Sequence, residues 1–331
     1  MTRFLPTVLV ALAALLVLPA CDSTGSTDVE TQVVVSGFLQ AGAPLAPVRL
    51  TRTVPLGDLY DPATAGIRDA DVRIELLGAG GAVEEAFAYV SDDTGGAGTY
   101  VTVPGAFAPT LPGRTYRLVA TALGTTVTAE TTVPATFRAT VPPPREIVYQ
   151  SNANGPTVTI TTSSVAGRQA VYIATTEALA ADRFDPFERD GKTFYRSRNE
   201  AGRFRPVPIV ADLVADCEDV AGRLECEEDP YTDFRSGTSP IINESNYRLL
   251  GDGTAVVDIP WLAFGFYGPN DVSLVALDDA FQDFVETQTL QQNPTTISPG
   301  EIPNVTTNVR GGLGVFGSFA RVTARTTILE R

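Results

Sequence analysis

The chain predicts a mainly β protein: an N-terminal immunoglobulin-like or prealbumin-like β-sandwich, then a second β-rich domain with one amphipathic helix. Three observations carry the β assignment. Apolar and polar residues alternate with period two, as in Asp71-Val72-Arg73-Ile74-Glu75-Leu76; β-branched residues concentrate in those runs; Gly and Pro punctuate them about every ten residues. Helical periodicity is rare. The one helix predicted runs from about Val272 to Gln291 (272–291), with Leu274, Leu277, Phe281, Phe284 and Val285 on one stripe and Asp278, Asp279, Asp283 and Glu286 mostly turned away from it. Asn293-Pro294 ends it.

Taken in chain order, the first element is an export signal. Met1-Thr2-Arg3 supplies one positive charge, and Val8 to Leu18 is an apolar run too short to span a bilayer. Leu18-Pro19-Ala20-Cys21 fits the lipobox of bacterial lipoproteins, which predicts cleavage of residues 1–20, acylation of Cys21 and insertion of its acyl chains into a lipid bilayer. Several chains, at about 0.8 kcal/mol per buried methylene, make such attachment stable. Residues 21–29, polar from Asp22 to Asp28, read as a flexible tether.

Residues 30–140 form the predicted sandwich, with strands at Thr31 to Leu39, Val48 to Arg52, Ala70 to Leu77, Glu84 to Val90, Gly98 to Val103, Thr115 to Ala122 and Thr125 to Val133. The opening Gly37-Phe38-Leu39 and Pro44-Leu45-Ala46-Pro47-Val48-Arg49-Leu50, with the later Pro112-Gly113-Arg114-Thr115-Tyr116-Arg117-Leu118-Val119-Ala120, resembles prealbumin-like and carboxypeptidase-regulatory-like modules. That resemblance implies a fold and no activity. Val141-Pro142-Pro143-Pro144 is a stiff spacer marking the start of the second domain, 141–331. Strands follow at Thr157 to Ser163, Ala170 to Thr176, Ala255 to Trp261 and Phe316 to Leu329. From about Ala180 to Asn246 the alternation breaks down, which predicts long insertions between strands.

Composition excludes much chemistry. With 39 acidic against 24 basic residues the net charge is −15, which repels nucleic acid and anionic headgroups. The chain has no histidine, so no Ser-His-Asp unit, histidine-ligated zinc or imidazole relay exists. A serine–lysine pair would depend on Lys192, the single lysine, in the turn Arg189-Asp190-Gly191-Lys192. Gly312-Leu313-Gly314-Val315-Phe316-Gly317 matches the dinucleotide-binding string, but β alternation follows where that chemistry needs a helix. The glycines therefore predict close backbone approach at a strand start, and no cofactor is predicted.

In an oxidising compartment Cys217 and Cys226 are expected to pair, across a hairpin turning at Ala221-Gly222. The carboxylates around them (Asp216, Glu218, Asp219, Glu225, Glu227, Glu228, Asp229) lack calcium-loop spacing and read as a solvated acidic hairpin, with no metal predicted. Asp92-Asp93-Thr94-Gly95-Gly96 reads as a turn. Phe184, Phe187, Phe194, Tyr195, Phe204, Tyr231 and Phe234, interleaved with arginines, form either a binding surface or packing beneath long loops.

Phe281 and Phe284, then Leu290-Gln291-Gln292-Asn293-Pro294, then Pro303-Asn304-Val305-Thr306-Thr307-Asn308-Val309-Arg310-Gly311-Gly312-Leu313-Gly314-Val315-Phe316-Gly317 resemble the ending of an uncharacterised family of Bacteroidota-type lipoproteins, domain of unknown function 4249. The resemblance implies an outer-membrane lipoprotein, periplasmic or surface-facing, that serves a TonB-dependent receptor in nutrient uptake. It supplies no catalytic residues. Asp22 is the enterobacterial signal for inner-membrane retention, so the destination stays open. The function expected is a non-enzymatic accessory or ligand-binding component. The alternatives are a structural or adhesive surface module and an uncharacterised hydrolase with two facing carboxylates.

Overall fold

The computed structural model describes residues 30–55, 58–105, 108–150, 155–179, 183–198, 205–213, 217–230, 234–292 and 306–331; the expected signal segment, Cys21 and the expected tether lie outside them. Among the described residues about half are in strands and far fewer in helices, so the mainly β class holds.

The N-terminal core is wrapped by β1 (Val33–Gln40), β2 (Val48–Arg52), β3 (Asp71–Leu77), β4 (Val83–Ser91), β5 (Thr99–Thr102), β6 (Thr115–Ala122) and β7 (Thr125–Thr132). Alternation sorts their side chains. In β1 Val33, Val35 and Leu39 point inward, and in β3 Val72, Ile74 and Leu76 do the same. A short helix, α1 (Pro62–Ala65), is capped by Asp61, whose Oδ1 accepts from Ala63 N at 2.9 Å. The turn at Asp92 forms as composition predicts, with Asp92 Oδ1 accepting from Thr94 N at 2.9 Å.

The second half of the chain contributes β8 (Ala139–Val141), β9 (Glu146–Val148), β10 (Thr157–Thr161), β11 (Ser164–Val165), β12 (Arg168–Gln169), β13 (Val171–Ala178), β14 (Phe184–Arg189), β15 (Lys192–Ser197), α2 (Pro208–Leu213), β16 (Glu218–Val220), β17 (Arg223–Cys226), β18 (Ser236–Thr238), β19 (Tyr247–Leu249), β20 (Thr254–Asp258), β21 (Gly268–Leu277), α3 (Asp279–Gln292) and β22 (Leu313–Leu329). One face of β13, β21 and the end of β22 packs against the sheet β19-β20-β10-β8. Tyr172, Ile160, Val257, Ile259 and Phe264 fill the space between them.

β22 joins the two cores. Its first half runs parallel to β1, from Val34 opposite Leu313 to Gln40 opposite Phe319, and its second half runs antiparallel to β21, from Leu277 opposite Phe319 to Gly268 opposite Ile328. One sheet therefore continues in the order β18-β13-β21-β22-β1-β2-β5-β4-β3-β6-β7. It curls until Thr128 of β7 exchanges two backbone hydrogen bonds with Arg310, 3.1 and 2.8 Å long. Val309 and Phe316 thus lie in the N-terminal core, and full burial of Phe316 contributes about 1.5–3 kcal/mol. The last strand crosses the boundary that Val141-Pro142-Pro143-Pro144 suggests.

The glycine string takes its shape from this crossing. A Cβ on Gly314 (φ +104°) would lie 1.9 Å from the Val35 carbonyl oxygen, and one on Gly317 would lie 3.1 Å from Phe281 Cβ and 3.2 Å from Asp278 Oδ1. The first glycine admits β1 and the second admits α3.

Two sequence expectations are corrected. The predicted helix begins seven residues too early: Val272 to Leu277 belong to β21, because both faces of that strand are buried and its apolar run carries no period-two signal. The expected irregular insertion also contains order, a four-stranded sheet β14-β15-β17-β16 inserted between β13 and β18.

Candidate functional site

Of the aromatic residues expected to form either a binding surface or packing beneath loops, two stand on the outer face of the insertion sheet and three pack inward. Phe187 and Phe194 are cross-strand partners with ring centroids 5.9 Å apart. Arg189 lies 4.2 Å from the Phe194 centroid and Arg196 lies 4.4 Å from that of Phe187. Phe184 is buried with Ala178, Cys226 and Phe266, and Tyr195 and Phe234 pack against that cluster. Phe204 and Tyr231 lie outside the described residues.

The acidic hairpin is not uniformly solvated. Glu225 is 4% exposed and holds two guanidinium groups, Arg189 Nη1 at 2.8 Å and Arg196 Nη2 at 2.6 Å. Glu218, Asp219, Glu227 and Glu228 are exposed, and Asp216 lies outside the described residues. Cys217 and Cys226 form a disulfide with their Cα atoms 4.4 Å apart. The turn between β16 and β17 uses Ala221 (φ 55°) and Gly222 (φ 81°), and Asp219 Oδ1 accepts from Gly222 N at 2.8 Å. Among the described residues no three potential metal ligands converge.

A larger cleft opens elsewhere, on the outer face of the β13–β21–β22 sheet beside α3. Its volume is about 650 Å³, within the range of small-molecule sites. The register sets its floor as rows across three strands: Val171–Leu277–Phe319, then Ile173–Val275–Arg321, then Thr175–Ser273–Thr323. Apolar character gives way to hydroxyls along this sequence, and Ser273 Oγ lies 2.8 Å from Thr323 Oγ1. The next row is charged, with Arg325 bonded to Asp271 at 2.8 Å and Glu177 bonded to Arg235. Helix α3 covers the first row through Phe281 and Val285. Thr238, Ser239, Pro240 and Leu262 form the opposite wall.

Rings from three distant segments close the apolar end. Phe281 lies 4.5 Å from Phe38 and 6.1 Å from Phe319, centroid to centroid. Beside these rings the Arg321 guanidinium sits 5.4 Å from the Phe319 centroid and, among the described residues, has no carboxylate partner. Two smaller cavities, about 370 and 290 Å³, are lined mainly by threonine, asparagine and acidic side chains.

Asp278 fixes α3 over this floor. It is 3% exposed rather than turned to solvent as the helical pattern predicts. Its Oδ1 accepts from Phe281 N and Ser318 N, both at 3.0 Å, and its Oδ2 accepts from Thr131 Oγ1 at 2.6 Å. One carboxylate therefore ties the helix start to β22 and β7. Burial without a cationic partner pushes its pKa up to about 6, against the lowering effect of those three hydrogen bonds.

Phe38, Ile173, Val275 and Arg321 are absent from the surface that sequence predicts. A signal for one end of the cleft does exist: Phe319 opens the otherwise polar set Arg321, Thr323, Arg325, Thr327 on one face of the last strand. The partners on β13 and β21 become neighbours only through long-range register.

A family model matches residues 22–325, more than half of the chain. The chain belongs to the family described as domain of unknown function 4249 (DUF4249). No curated protein matches this DUF4249 chain. Solved structures similar to it include trypsin-activated alpha-2-macroglobulin from Escherichia coli, at 10% identity and TM-score 0.20 over 75% of this chain and 14% of that one. Another is the three N-terminal domains of the highly immunogenic outer capsid protein Hoc of bacteriophage RB49, at 7% identity and TM-score 0.21 over 91% of this chain and 71% of that one.

Proposed function

We propose that this DUF4249 protein is a lipid-anchored, non-enzymatic binding protein that works outside the cytoplasm as an accessory to an outer-membrane uptake system. The lipobox Leu18-Pro19-Ala20-Cys21 carries the reading, since acylation of that cysteine fixes both location and attachment. Three further facts support it. The family match begins at Asp22, directly after the cysteine. The Cys217–Cys226 disulfide suits an oxidising compartment. The cleft beside α3 is lined by apolar side chains, hydroxyls and one guanidinium, a set that suits holding a molecule rather than transferring a group. The partner class implied by the family resemblance is a TonB-dependent receptor.

Intact-mass and peptide mass spectrometry of the protein extracted from membranes tests the anchor. A mature chain beginning at a diacylglyceryl, N-acylated Cys21 is the expected result, and an unmodified Cys21 overturns the reading. Affinity purification from detergent-solubilised membranes tests the accessory role. A β-barrel receptor should copurify, and its repeated absence argues against that role.

A further inference from the structure

We propose that the cleft beside α3 binds a single-chain carboxylate amphiphile, with its head on Arg321 beside the Phe319 ring and its chain lying across Val275 and Ile173. This names the ligand class for the binding reading above and rests on it.

Charge argues for an anionic head. The chain carries 39 acidic residues, yet among the described residues no carboxylate lines this cleft, whereas the 290 Å³ cavity alone is lined by Glu130, Asp278, Asp279 and Asp283. Arg321 stands at the edge of that acid-free surface. Its neighbour on the same strand face, Arg325, is bonded by Asp271, while Arg321 lies against the Phe319 ring and has no carboxylate partner among the described residues. A guanidinium left without a carboxylate in so acidic a chain is matched to an anion supplied from outside. One guanidinium inside a field of net charge −15 favours a single negative charge over a phosphate dianion.

Shape and polarity argue for the chain. The floor residues Ile173 and Val275 are 5% and 2% exposed and form the row that ends in Arg321. On one side of that row lies the apolar row under α3; on the other lies the hydroxyl row Thr175–Ser273–Thr323. A molecule with one apolar chain and one hydrogen-bonding head meets both requirements at once.

Photo-labelling of the full-length protein in its membrane tests this, using a diazirine-bearing long-chain fatty acid as the probe. Adducts should map to the peptides carrying Ile173, Val275, Phe281 and Phe319. Unlabelled palmitate should compete at least about tenfold better than its methyl ester, and Arg321→Gln should lower labelling by about tenfold, the loss of one charge-assisted contact. Arg321→Lys should restore most of it. Arg325→Gln, on the same face but outside the cleft lining, should leave it unchanged. Adducts elsewhere, equal competition by the ester, or cleft residues cross-linked to a second copy or to another polypeptide each overturn the proposal. Mass analysis of Cys21 in the same sample separates the two readings: an acylated Cys21 without cleft adducts removes this inference and leaves the anchor, and an unmodified Cys21 with cleft adducts does the reverse.

Discussion

The insertion sheet and the α3 cleft each combine a buried carboxylate, arginines and clustered phenylalanines, and they dispose of the charges in opposite ways. In the insertion, Glu225 holds Arg189 and Arg196 directly, and the same guanidinium groups cover Phe187 and Phe194. Around the cleft, among the described residues, Asp278 is buried with hydrogen-bond donors and no cation, while Arg321 lies against the Phe319 ring with no carboxylate. Similar compositions therefore give a self-satisfied structural knot in one place and an open binding edge in the other. What separates them is the distance between opposite charges.

The largest way to break the comparison is to strand the carboxylate in the insertion. Arg189→Gln with Arg196→Gln leaves Glu225 buried and uncompensated, and the doubly substituted protein should lose about 3–4 kcal/mol of stability in denaturant titration. A loss below about 1 kcal/mol would show that solvent already serves Glu225.

Next is Asp278→Ala, which removes the cap and three hydrogen bonds for an expected loss of about 3 kcal/mol. Its pH dependence sharpens the point. The folded carboxyl keeps its proton up to about pH 6 while the unfolded one releases it near 3.8, so the folded state binds more protons in that window. Stability from this group is therefore greatest at the acid end and falls as pH rises through the window, by about 3 kcal/mol at most. Asp278→Asn can keep the same partners, with its amide nitrogen donating toward Thr131. Thermal melts from pH 4 to 8 should show this slope in the parent and a flatter profile in the Asn variant; parallel profiles would refute the assignment.

A smaller effect follows from Cys217→Ser with Cys226→Ser. Opening so short a loop should cost about 2–3 kcal/mol, confined to the insertion, and limited proteolysis should cut near β16 and β17 while cleft labelling persists. The smallest effect belongs to Arg321→Gln, which breaks no ion pair among the described residues and loses only a long contact with the Phe319 ring, and should change stability by less than about 0.5 kcal/mol. A larger loss would make Arg321 a structural residue like Arg189.

Much of the fold was legible because alternation is a local signal. Strands β2 and β6 have the bounds that period two predicts, and the hairpin joining Cys217 to Cys226 follows from its Ala221-Gly222 turn. β21 was read as helix because burial on both faces erased the alternation, and the insertion sheet was missed because its strands are three to six residues long and its apolar positions are split between two faces. Of the cleft, Phe319 with Arg321 and Ile173 with Thr175 each shared a recognisable strand face; the two faces meet, with Val275 between them, through pairings about fifty and about one hundred residues apart in sequence.

By itself the sequence determined which segments alternate, where the chain turns, that no imidazole chemistry is open to it, and that Cys21 stands in a lipobox. Tertiary structure alone decided that β22 serves both cores, that Arg189 and Arg196 meet a buried carboxylate, and that Arg321 meets none among the described residues. The physical reason is one of range: the direction a side chain points in a strand is set by its immediate neighbours, whereas the charge it faces is set by register between strands far apart in the chain.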